Sequence, residues 1–419
     1  MVLATRCSSF EFPSSFEFRI WIGAIDEICL LGYPLPSMRT VYFDYNATTP
    51  LDPQVRDAML PFLTEVWGNP SSVHSVGRRA RAVLDEARER AARVLGCKPS
   101  ELIFTSGGTE STNLAIFGAA RMLKSKGRHL ITSAVEHHAV LHGCEYLAKK
   151  EGFELTVLPV DSAGVISVES LEKAIRPDTV LVSLMAANNE IGTLQPIAEL
   201  GAVCRRQGVL FLTDAVQWFG KEPFENVDQF NADLVSVCAH KFHGPKGAGA
   251  LFVRSPLHPD PVMFGGSHEN ERRAGTENLG AIVGLVEALE RFVPQPVFAR
   301  SQLEPLTARL MQLIDRLEGA QLVGSRDCRL ANTVSFVVRG SDSIALLAGL
   351  DMEGICASSG SACSAGSLEP SHVVSALGIP PELANSLVRF SLGRDSTLEE
   401  VEYVERVLPE ILRRVQQFQ

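Results

Sequence analysis

The sequence predicts an α/β protein built around a mostly parallel β-sheet. From Met38 onward, short apolar runs rich in β-branched residues alternate with stretches of helical periodicity, a pattern typical of parallel strands joined by crossover helices. Several of these runs end in polar side chains, as expected where strands open into a functional crevice. With 419 residues, the chain is long enough to form two packed domains.

The composition narrows the classes of partner. The chain is 45% hydrophobic and carries a formal net charge of −10. This acidic balance argues against direct binding to nucleic acid or to an anionic membrane. The nine cysteines are scattered and include no CxxC pair, which argues against a disulfide framework and a structural zinc site and fits a reducing compartment.

Residues 1–37 do not follow the pattern of the rest. They are rich in aromatic side chains, but acidic residues such as Glu11, Glu17 and Asp26 interrupt every apolar run. A membrane span, a signal peptide and a transit peptide all fit this segment poorly. We expect a disordered extension, or a start codon assigned upstream of Met38, and a cytoplasmic protein.

Two helices stand out by their periodicity. The stretch RRARAVLDEARERAARVL at 78–95 has apolar residues at helical spacing, and its interleaved charges fit a solvated face. In the C-terminal stretch STLEEVEYVERVLPEILRRV, Ser396 and Glu399 have the spacing of a capping box and the apolar residues share one face. We expect this second helix to close the second domain.

Four predicted strands deliver polar groups just beyond their carboxyl ends. Because parallel strands share that edge of a sheet, we expect these groups to converge on one crevice. Each alone fits an ordinary polar residue at a strand end, but the coincidence of four sets favours a site. The residues are His137 and His138, then Asn188, Asn189 and Glu190, then Asp214 and Gln217, and finally His240 and Lys241.

A fifth strand runs through Gly107 and Gly108 into a helix that opens near Thr109. Free backbone N–H groups and the positive end of the helix dipole at such a terminus can hold a phosphate. A Gly-Gly turn with a threonine cap explains the same residues equally well. The GxxxxGK[ST] phosphate loop is absent from the sequence.

These groups together suit a pyridoxal phosphate site. A lysine amine forms the Schiff base with the cofactor, and a carboxylate keeps the pyridine nitrogen protonated so that the ring accepts electrons. Lys241 fits the amine and Asp214 the carboxylate. Lys246, in the GPKG turn, competes for the amine role, but the turn is expected to direct it outward.

A series of motifs runs in order from about residue 38 to 410. They are VYFDYNATTPLDP, GNPSSVHSVG, FTSGGTES, VEHHAV, NNEIG, TDAVQ, HKFHGPKG, RRAGTEN, SSGSACSAGSLEPSHV and VRFSLGR. In this order they resemble the NifS/IscS-type cysteine desulfurases, which are fold type I pyridoxal phosphate enzymes of the class V aminotransferase superfamily. The resemblance implies a seven-stranded, mostly parallel sheet in a large cofactor-binding domain at 53–290. It also implies a smaller α+β domain from 38–52 and 291–419.

The resemblance further implies a role for each site residue. Lys241 carries the cofactor, Asp214 pairs with the pyridinium, Gln217 bonds the phenolic oxygen and His137 stacks on the ring. Thr109 and His240 hold the phosphate, Asn188 and Arg389 hold the substrate carboxylate, and Cys363 accepts the sulfur. Thr276 reaches the phosphate of a neighbouring subunit, so a homodimer is expected.

Position 238 departs from much of the family, which has a phosphate-binding serine where this chain has Cys238. NifS-like members can carry cysteine there, so the departure favours that subtype and leaves the phosphate contact at Cys238 open.

The implied reaction converts L-cysteine to L-alanine and leaves a persulfide on Cys363. Small residues around Cys363 would let the thiol move between the cofactor and a sulfur acceptor or iron–sulfur scaffold protein, where it could also contact a cluster. Lys241 is the expected base for the Cα proton. His137, with an expected pKa near working pH, is the candidate for proton transfer at the thiol or the product.

Other interpretations remain open. The chain could be another pyridoxal phosphate enzyme, such as an aminotransferase or a selenocysteine lyase, which would not need Cys363. It could also be a non-catalytic scaffold, although a complete cofactor site argues against this. Arg389 could form a structural ion pair instead of binding a carboxylate. The pair His138 and His142 has metal-ligand spacing, but without a third ligand an ordinary helix surface is favoured.

Overall fold

The predicted strands assemble into one central sheet of seven strands. The computed structural model describes residues 40–360 and 370–417, so the predictions for residues 1–37 and for Cys363 lie outside the described residues. The strands of the chain are β1 (Val41–Tyr42), β2 (Leu102–Thr105), β3 (His129–Ser133), β4 (Glu154–Leu158), β5 (Thr179–Met185), β6 (Leu210–Asp214), β7 (Leu234–Cys238), β8 (Gly249–Val253), β9 (Ala320–Val323), β10 (Thr333–Val338), β11 (Ile355–Cys356) and β12 (Val388–Ser391).

The order of the central sheet brings the predicted site strands together. The order is β2-β8-β7-β6-β5-β3-β4, with β8 antiparallel to both of its neighbours and the other pairs parallel. Strands β3, β5, β6 and β7 are therefore consecutive in space and end at the same edge. The prediction of a mostly parallel, seven-stranded sheet is confirmed.

Helices connect and cover these strands. They are α1 (Pro53–Met59), α2 (Pro61–Thr64), α3 (Ser75–Leu95), α4 (Gly108–Leu123), α5 (His138–Glu151), α6 (Val168–Ala174), α7 (Ile197–Gln207), α8 (Leu279–Phe292), α9 (Arg300–Arg316), α10 (Ser343–Met352), α11 (His372–Ala376), α12 (Pro381–Ala384) and α13 (Leu398–Gln417). The helix predicted over 78–95 is confirmed as the body of α3. Its polar face is exposed, and its apolar residues pack with those of α8 in the core on one face of the sheet.

The capping box of the C-terminal helix differs from the prediction by one residue. The Thr397 hydroxyl accepts from the Glu400 N–H at 3.3 Å, and the Glu400 carboxylate accepts from the Thr397 N–H at 2.8 Å. Ser396 instead accepts from the Gly393 N–H at 3.0 Å. The predicted pair Ser396 and Glu399 was wrong because Ser396 is used to fix the turn after β12.

A second buried cluster forms around a smaller sheet with the order β12-β10-β9. Helices α9, α10 and α13 contribute to this cluster, and so do Val41 and Phe43 from the beginning of the described chain. The N-terminal strand β1 pairs with β11 in parallel, which places residues 41–46 beside β12. The predicted domain boundaries, 53–290 against 38–52 with 291–419, stay a prediction.

Within residues 40–360 and 370–417, the structure contains no helix long and apolar enough to cross a membrane.

The turn after β12 depends on a glycine that contacts an aromatic ring. A Cβ at Gly393 would lie 2.2 Å from the Tyr45 ring, which is itself buried. We expect Gly393→Ala to lower the free energy of unfolding by about 1–3 kcal/mol, because overpacking forces the ring or the backbone to shift. Urea denaturation of the purified protein measures this change.

Gly143→Ala is the matched control. Gly143 lies inside α5, and a Cβ there would meet Ile116 and Phe117 at an ordinary 3.7 Å. Alanine should raise the free energy of unfolding by about 0.5–1 kcal/mol through helix propensity. Equal effects of the two substitutions would contradict the packing interpretation.

Candidate active site

A single cavity at the carboxyl edge of the central sheet collects most of the predicted site residues. Residues from the ends of β3, β6 and β7 line it, together with the start of α4 and residues near β1 and β12. The predicted residues in its wall are Thr109, His137, Asp214, Gln217, Cys238, His240, Lys241 and Arg389. The expected convergence of strand ends on one crevice is therefore observed.

Lys241 lies at the end of a short 3₁₀ turn, Ala239–Lys241, that directly follows β7. Its amine donates to the backbone carbonyls of Asn46 and Ala47, both at 2.8 Å. Burial lowers the pKa of this amine to about 8, since the charged form loses its hydration. A substantial fraction is therefore neutral and nucleophilic near pH 8. The competing Lys246 is exposed and does not line the cavity.

Asp214 ends β6 and is 8% exposed. One of its oxygens accepts from the Val216 N–H at 3.0 Å. Burial raises the pKa of the carboxyl to about 6, so it is still mainly ionised at pH 7. A protonated ring nitrogen facing it would stabilise the carboxylate further.

His137 follows β3 and caps helix α5. Its Nδ1 accepts from the Ala139 N–H at 3.1 Å, which fixes the ring orientation. Burial lowers the pKa of His137 to about 4, helped by the positive charge of Lys241. The expected pKa near working pH was wrong, because desolvation opposes the imidazolium. In this cavity His137 is a neutral ring.

His240 has a similar environment. Its Nδ1 is hydrogen-bonded to the Thr48 hydroxyl at 3.1 Å, and burial lowers its pKa to about 4.

The predicted phosphate site has the expected glycine turn before helix α4, but the residue at the N-cap is not Thr109. The N-cap of α4 is Gly107, with φ of 153°, and it makes no side-chain cap hydrogen bond. Thr109 lies in the first turn and lines the cavity, so the alternative interpretation of Thr109 as the cap was wrong. A Cβ at Gly108 would meet Val216 at 2.8 Å, which explains the glycine there.

Arg389 on β12 is almost completely buried, yet it lines the cavity. Its Nη1 donates to the carbonyls of Asn189 and Gly360 at 2.8 and 2.7 Å, and its Nη2 donates to Asp44 at 2.7 Å. The Nε atom is buried and has no partner among the described residues. The alternative prediction of a structural ion pair is thus observed, while one donor remains for another acceptor.

Four predicted residues are not in the cavity wall: the strand-end residues His138 and Glu190, and also Asn188 and Thr276. The Asn188 side chain is fully buried: its amide nitrogen donates to the Val135 carbonyl at 2.8 Å, and its oxygen accepts from two backbone N–H groups at 190 and 191. Its neighbour Asn189 lines the cavity instead. Thr276 is exposed in the loop before α8.

The segment that contains Cys363 lies outside the described residues, but both of its flanks are attached beside the cavity. On one side, the Gly360 carbonyl accepts from Arg389. On the other, the Ser371 hydroxyl donates to Glu190 at 2.5 Å and His372 Nε2 donates to the Glu136 carbonyl at 2.9 Å.

Two residues of the site were missed by sequence analysis. Asn46 appeared only as part of a motif, and Lys221 was not considered. Lys221 is 3% exposed, and its amine donates to the Asn46 side-chain oxygen at 2.7 Å and to Gln217 Oε1. The signal for Lys221 was its place four residues after Gln217 in the apolar stretch AVQWFGK.

The histidine pair of helix α5 does gain a neighbour in the fold. His138 and His142 stack in parallel with ring centroids 4.7 Å apart, and His372 packs on His138 at 4.6 Å. The nitrogen lone pairs of two stacked rings lie in parallel planes, so they do not point at one ion. Among the described residues no group of three or more ligand side chains could hold a metal.

The cavity fits pyridoxal phosphate by its donor set. A nucleophilic amine, a buried carboxylate, a neutral imidazole and a helix N-terminus with glycines at its opening all face the same space. The unpartnered Arg389 Nε provides one more buried donor for an anion.

Comparisons with known proteins agree with this chemistry. The chain matches the family described as Aminotransferase class-V over residues 41–404. It is 48% identical over 378 residues to the cysteine desulfurase IscS of Dictyoglomus turgidum, covering 90% of this chain and 95% of the relative. It is 46% identical to IscS of Methanosarcina thermophila, covering 90% and 93%.

A solved structure titled NifS-like protein superposes with a TM-score of 0.83 at 38% identity, covering 90% of this chain and all of the other. The chain belongs to the class V aminotransferase family, among the IscS/NifS-type cysteine desulfurases.

Proposed function

We propose that this chain is a cysteine desulfurase that removes sulfur from L-cysteine and carries it as a persulfide on Cys363. Pyridoxal phosphate is the cofactor of this family. The observation that carries the proposal is the convergence of Lys241, Asp214, His137 and Arg389 on one cavity beside both flanks of the Cys363 segment.

The residues proposed to hold the cofactor are those with the matching chemistry. Lys241 supplies the amine for covalent attachment, and Asp214 supplies the carboxylate for the ring nitrogen. Gln217 and His137 would contact the ring, and the backbone and side chains at Thr109, His240 and Cys238 would surround the phosphate. When bound, the cofactor supplies the electron sink that makes the Cα proton of the substrate removable.

The low pKa of Lys241 suits it to proton transfer. An amine with a pKa of about 8 is partly unprotonated at working pH and can accept the Cα proton, whereas an ordinary lysine would be almost fully charged. His137, neutral with its Nδ1 already accepting a hydrogen bond, keeps its Nε2 as the N–H donor. It would orient the reacting groups and could donate a hydrogen bond to them.

The proposed substrate carboxylate would bind at Arg389. Arg389 lines the cavity, its buried Nε has no partner among the described residues, and the hydrogen bonds of its other nitrogens hold the guanidinium in place. The proposed contact with Asn188 would need its side chain to leave two backbone N–H groups. Asn188 therefore supports the site as a turn residue, and Asn189 is the neighbour with access to the cavity.

Cys363 is proposed as the sulfur acceptor. Cys363 is the third residue after Gly360, so the two Cα atoms are at most about 11 Å apart. Its thiolate would attack the substrate sulfur as the bond from sulfur to the substrate's Cβ breaks, which leaves alanine after protonation. A protein acceptor, such as an iron–sulfur scaffold, would then take the persulfide sulfur, and a cytoplasmic location completes the proposal.

The proposed homodimer is supported by apolar side chains that remain exposed. They lie in the loops and helices around α1 to α3 and in the loop before α8, and they include Leu60, Leu63, Trp67, Val73, Met263 and Phe264. Large apolar side chains left exposed in this way are expected where a partner subunit covers them. Thr276, exposed in the same loop as Phe264, is proposed to reach the phosphate in the partner subunit.

The sulfur-transfer role of Cys363 gives the first experiment. We expect the native protein to release alanine and sulfide from L-cysteine in equal amounts under anaerobic reducing conditions, and Cys363→Ala to release neither, because no thiolate attacks the sulfur. Cys328→Ala, at an exposed cysteine, is the control and should match the native protein. Full activity of Cys363→Ala would overturn the persulfide step.

The pKa values predict how capture of the cofactor depends on pH. We mix apoprotein with pyridoxal phosphate and follow the visible absorbance band. The rate should rise with pH around a midpoint near 8, because only neutral Lys241 attacks the aldehyde, and Lys246→Ala should leave it unchanged. A midpoint near 10 would contradict the assignment of a buried amine to Lys241.

Asp214→Asn should weaken the binding of pyridoxal phosphate about tenfold or more above pH 6, where the native carboxylate is charged.

The exposed apolar side chains around α1 to α3 predict that the protein is a dimer. Trp67→Asp should convert a dimer to a monomer in analytical ultracentrifugation, because a carboxylate in an apolar interface loses its hydration. Thr276→Ala should leave the dimer intact and weaken cofactor binding. Val157→Asp, at an exposed residue of the edge strand β4, is the control. A native protein that sediments as a monomer would refute this part of the proposal.

A further inference from the structure

A second buried lysine lies behind the cavity and has no role in the reaction described above. Lys221 is 3% exposed, and its amine forms no ion pair with any carboxylate among residues 40–360 and 370–417. Two amide oxygens, Asn46 Oδ1 at 2.7 Å and Gln217 Oε1, accept its protons instead. Burying an amine without a charged partner costs free energy, because the amine loses its hydration. A lysine at this buried position therefore indicates a role beyond packing.

The amine determines which way the Gln217 amide faces. A lysine ammonium only donates hydrogen bonds, so the oxygen of Gln217 must point toward Lys221 and its NH₂ group must point away. The NH₂ group donates one hydrogen bond to the Asn46 carbonyl at 3.0 Å. Gln217 also lines the cavity, and its NH₂ group has a second proton.

The same amine is also hydrogen-bonded to Asn46, which supplies one of the two acceptors of Lys241. The Asn46 carbonyl accepts from both Gln217 and Lys241, and the Asn46 side-chain oxygen accepts from both Lys221 and Asn332, the latter at 3.1 Å. Lys221 therefore holds Asn46, and through Asn46 it holds the two side chains that are proposed to contact the cofactor.

We propose that Lys221 is a positioning residue that keeps the NH₂ group of Gln217 directed at the phenolic oxygen of pyridoxal phosphate, an inference that rests on the proposed function of Gln217. Burial lowers the pKa of Lys221 strongly, and the positive charges of Lys241 and Arg389 add to this effect while Glu222 opposes it. In the neutral form two N–H groups remain for the same two oxygens, which is the arrangement that the structure shows.

The test is the pH titration of the visible band of resting holoenzyme, without L-cysteine. In Lys221→Met the Gln217 side-chain oxygen loses its hydrogen-bond donor, so the amide can rotate and turn this oxygen to the cavity. The phenolic oxygen then loses a donor and becomes more basic, so the pH at which the band changes should rise by about one unit. Affinity for pyridoxal phosphate should fall about tenfold.

Two further variants separate positioning from stability. Gln217→Glu keeps an oxygen for Lys221 and has no N–H to offer, so it should shift the band in the same direction with little loss of thermal stability. Glu222→Gln is the matched control: Glu222 is adjacent, 5% exposed and paired with Arg300 at 2.7 Å, so its loss should lower the melting temperature and leave the band unchanged. In the double variant of Lys221→Met and Gln217→Ala, the band shift should equal that of Gln217→Ala alone.

Lys221→Gln is used if the methionine variant does not fold. Its amide keeps a hydrogen-bond donor, but it can also accept, so it does not dictate the orientation of the Gln217 amide. A band that is unchanged in either folded variant overturns the proposal, and so does failure of both variants to fold, since a structural role would then suffice. Because the readout needs no turnover, a native protein without desulfurase activity would refute the proposed function and leave this test intact.

Discussion

The site depends on how two lysine amines are buried with no carboxylate partner in the described part of the chain. Asn46 is the residue that makes this possible: its carbonyl accepts from Lys241 and its side-chain oxygen accepts from Lys221. Asn46 is in turn hydrogen-bonded to Ser391 on β12 and to Thr333 on β10 of the smaller sheet, at 2.9 Å each. The cavity at the large sheet is therefore bounded by a residue that the smaller sheet holds, and the packing of the two sheets determines the position of the Lys241 amine.

Desolvation sets the chemistry of the cavity. It is the largest cause of the lowered pKa of Lys241, of the raised pKa of Asp214 and of the lowered pKa values of His137 and His240. The result is a site in which the amine is partly neutral, the carboxylate remains mainly charged and the imidazoles are neutral. Each of these states is the one that a covalently held, anionic cofactor requires.

Both flanks of the Cys363 segment are hydrogen-bonded to residues at or next to the cavity. Arg389, the proposed ligand of the substrate carboxylate, also donates to the Gly360 carbonyl at one flank. At the other flank, His372 donates to the carbonyl of Glu136, the residue before His137. Arg389 and the residue before His137 are thus hydrogen-bonded to the two flanks of this segment.

The sequence by itself determined the sheet and the polar side chains that follow its strands. Strand patterns and polar strand ends are local, so Lys241, Asp214, His137 and Gln217 could be predicted before any contact was known. The sequence did not determine what surrounds each side chain. Asn188 carried the expected pattern but is used inside its own turn, Ser396 gave way to Thr397 as the cap, and the pKa of His137 was misjudged because burial is a property of the whole fold. Lys221 and Asn46 are 175 residues apart, and only the tertiary structure decided that they meet. Hydrogen bonds between such distant residues leave no periodic signal in the chain, because their geometry exists only once both sheets are packed.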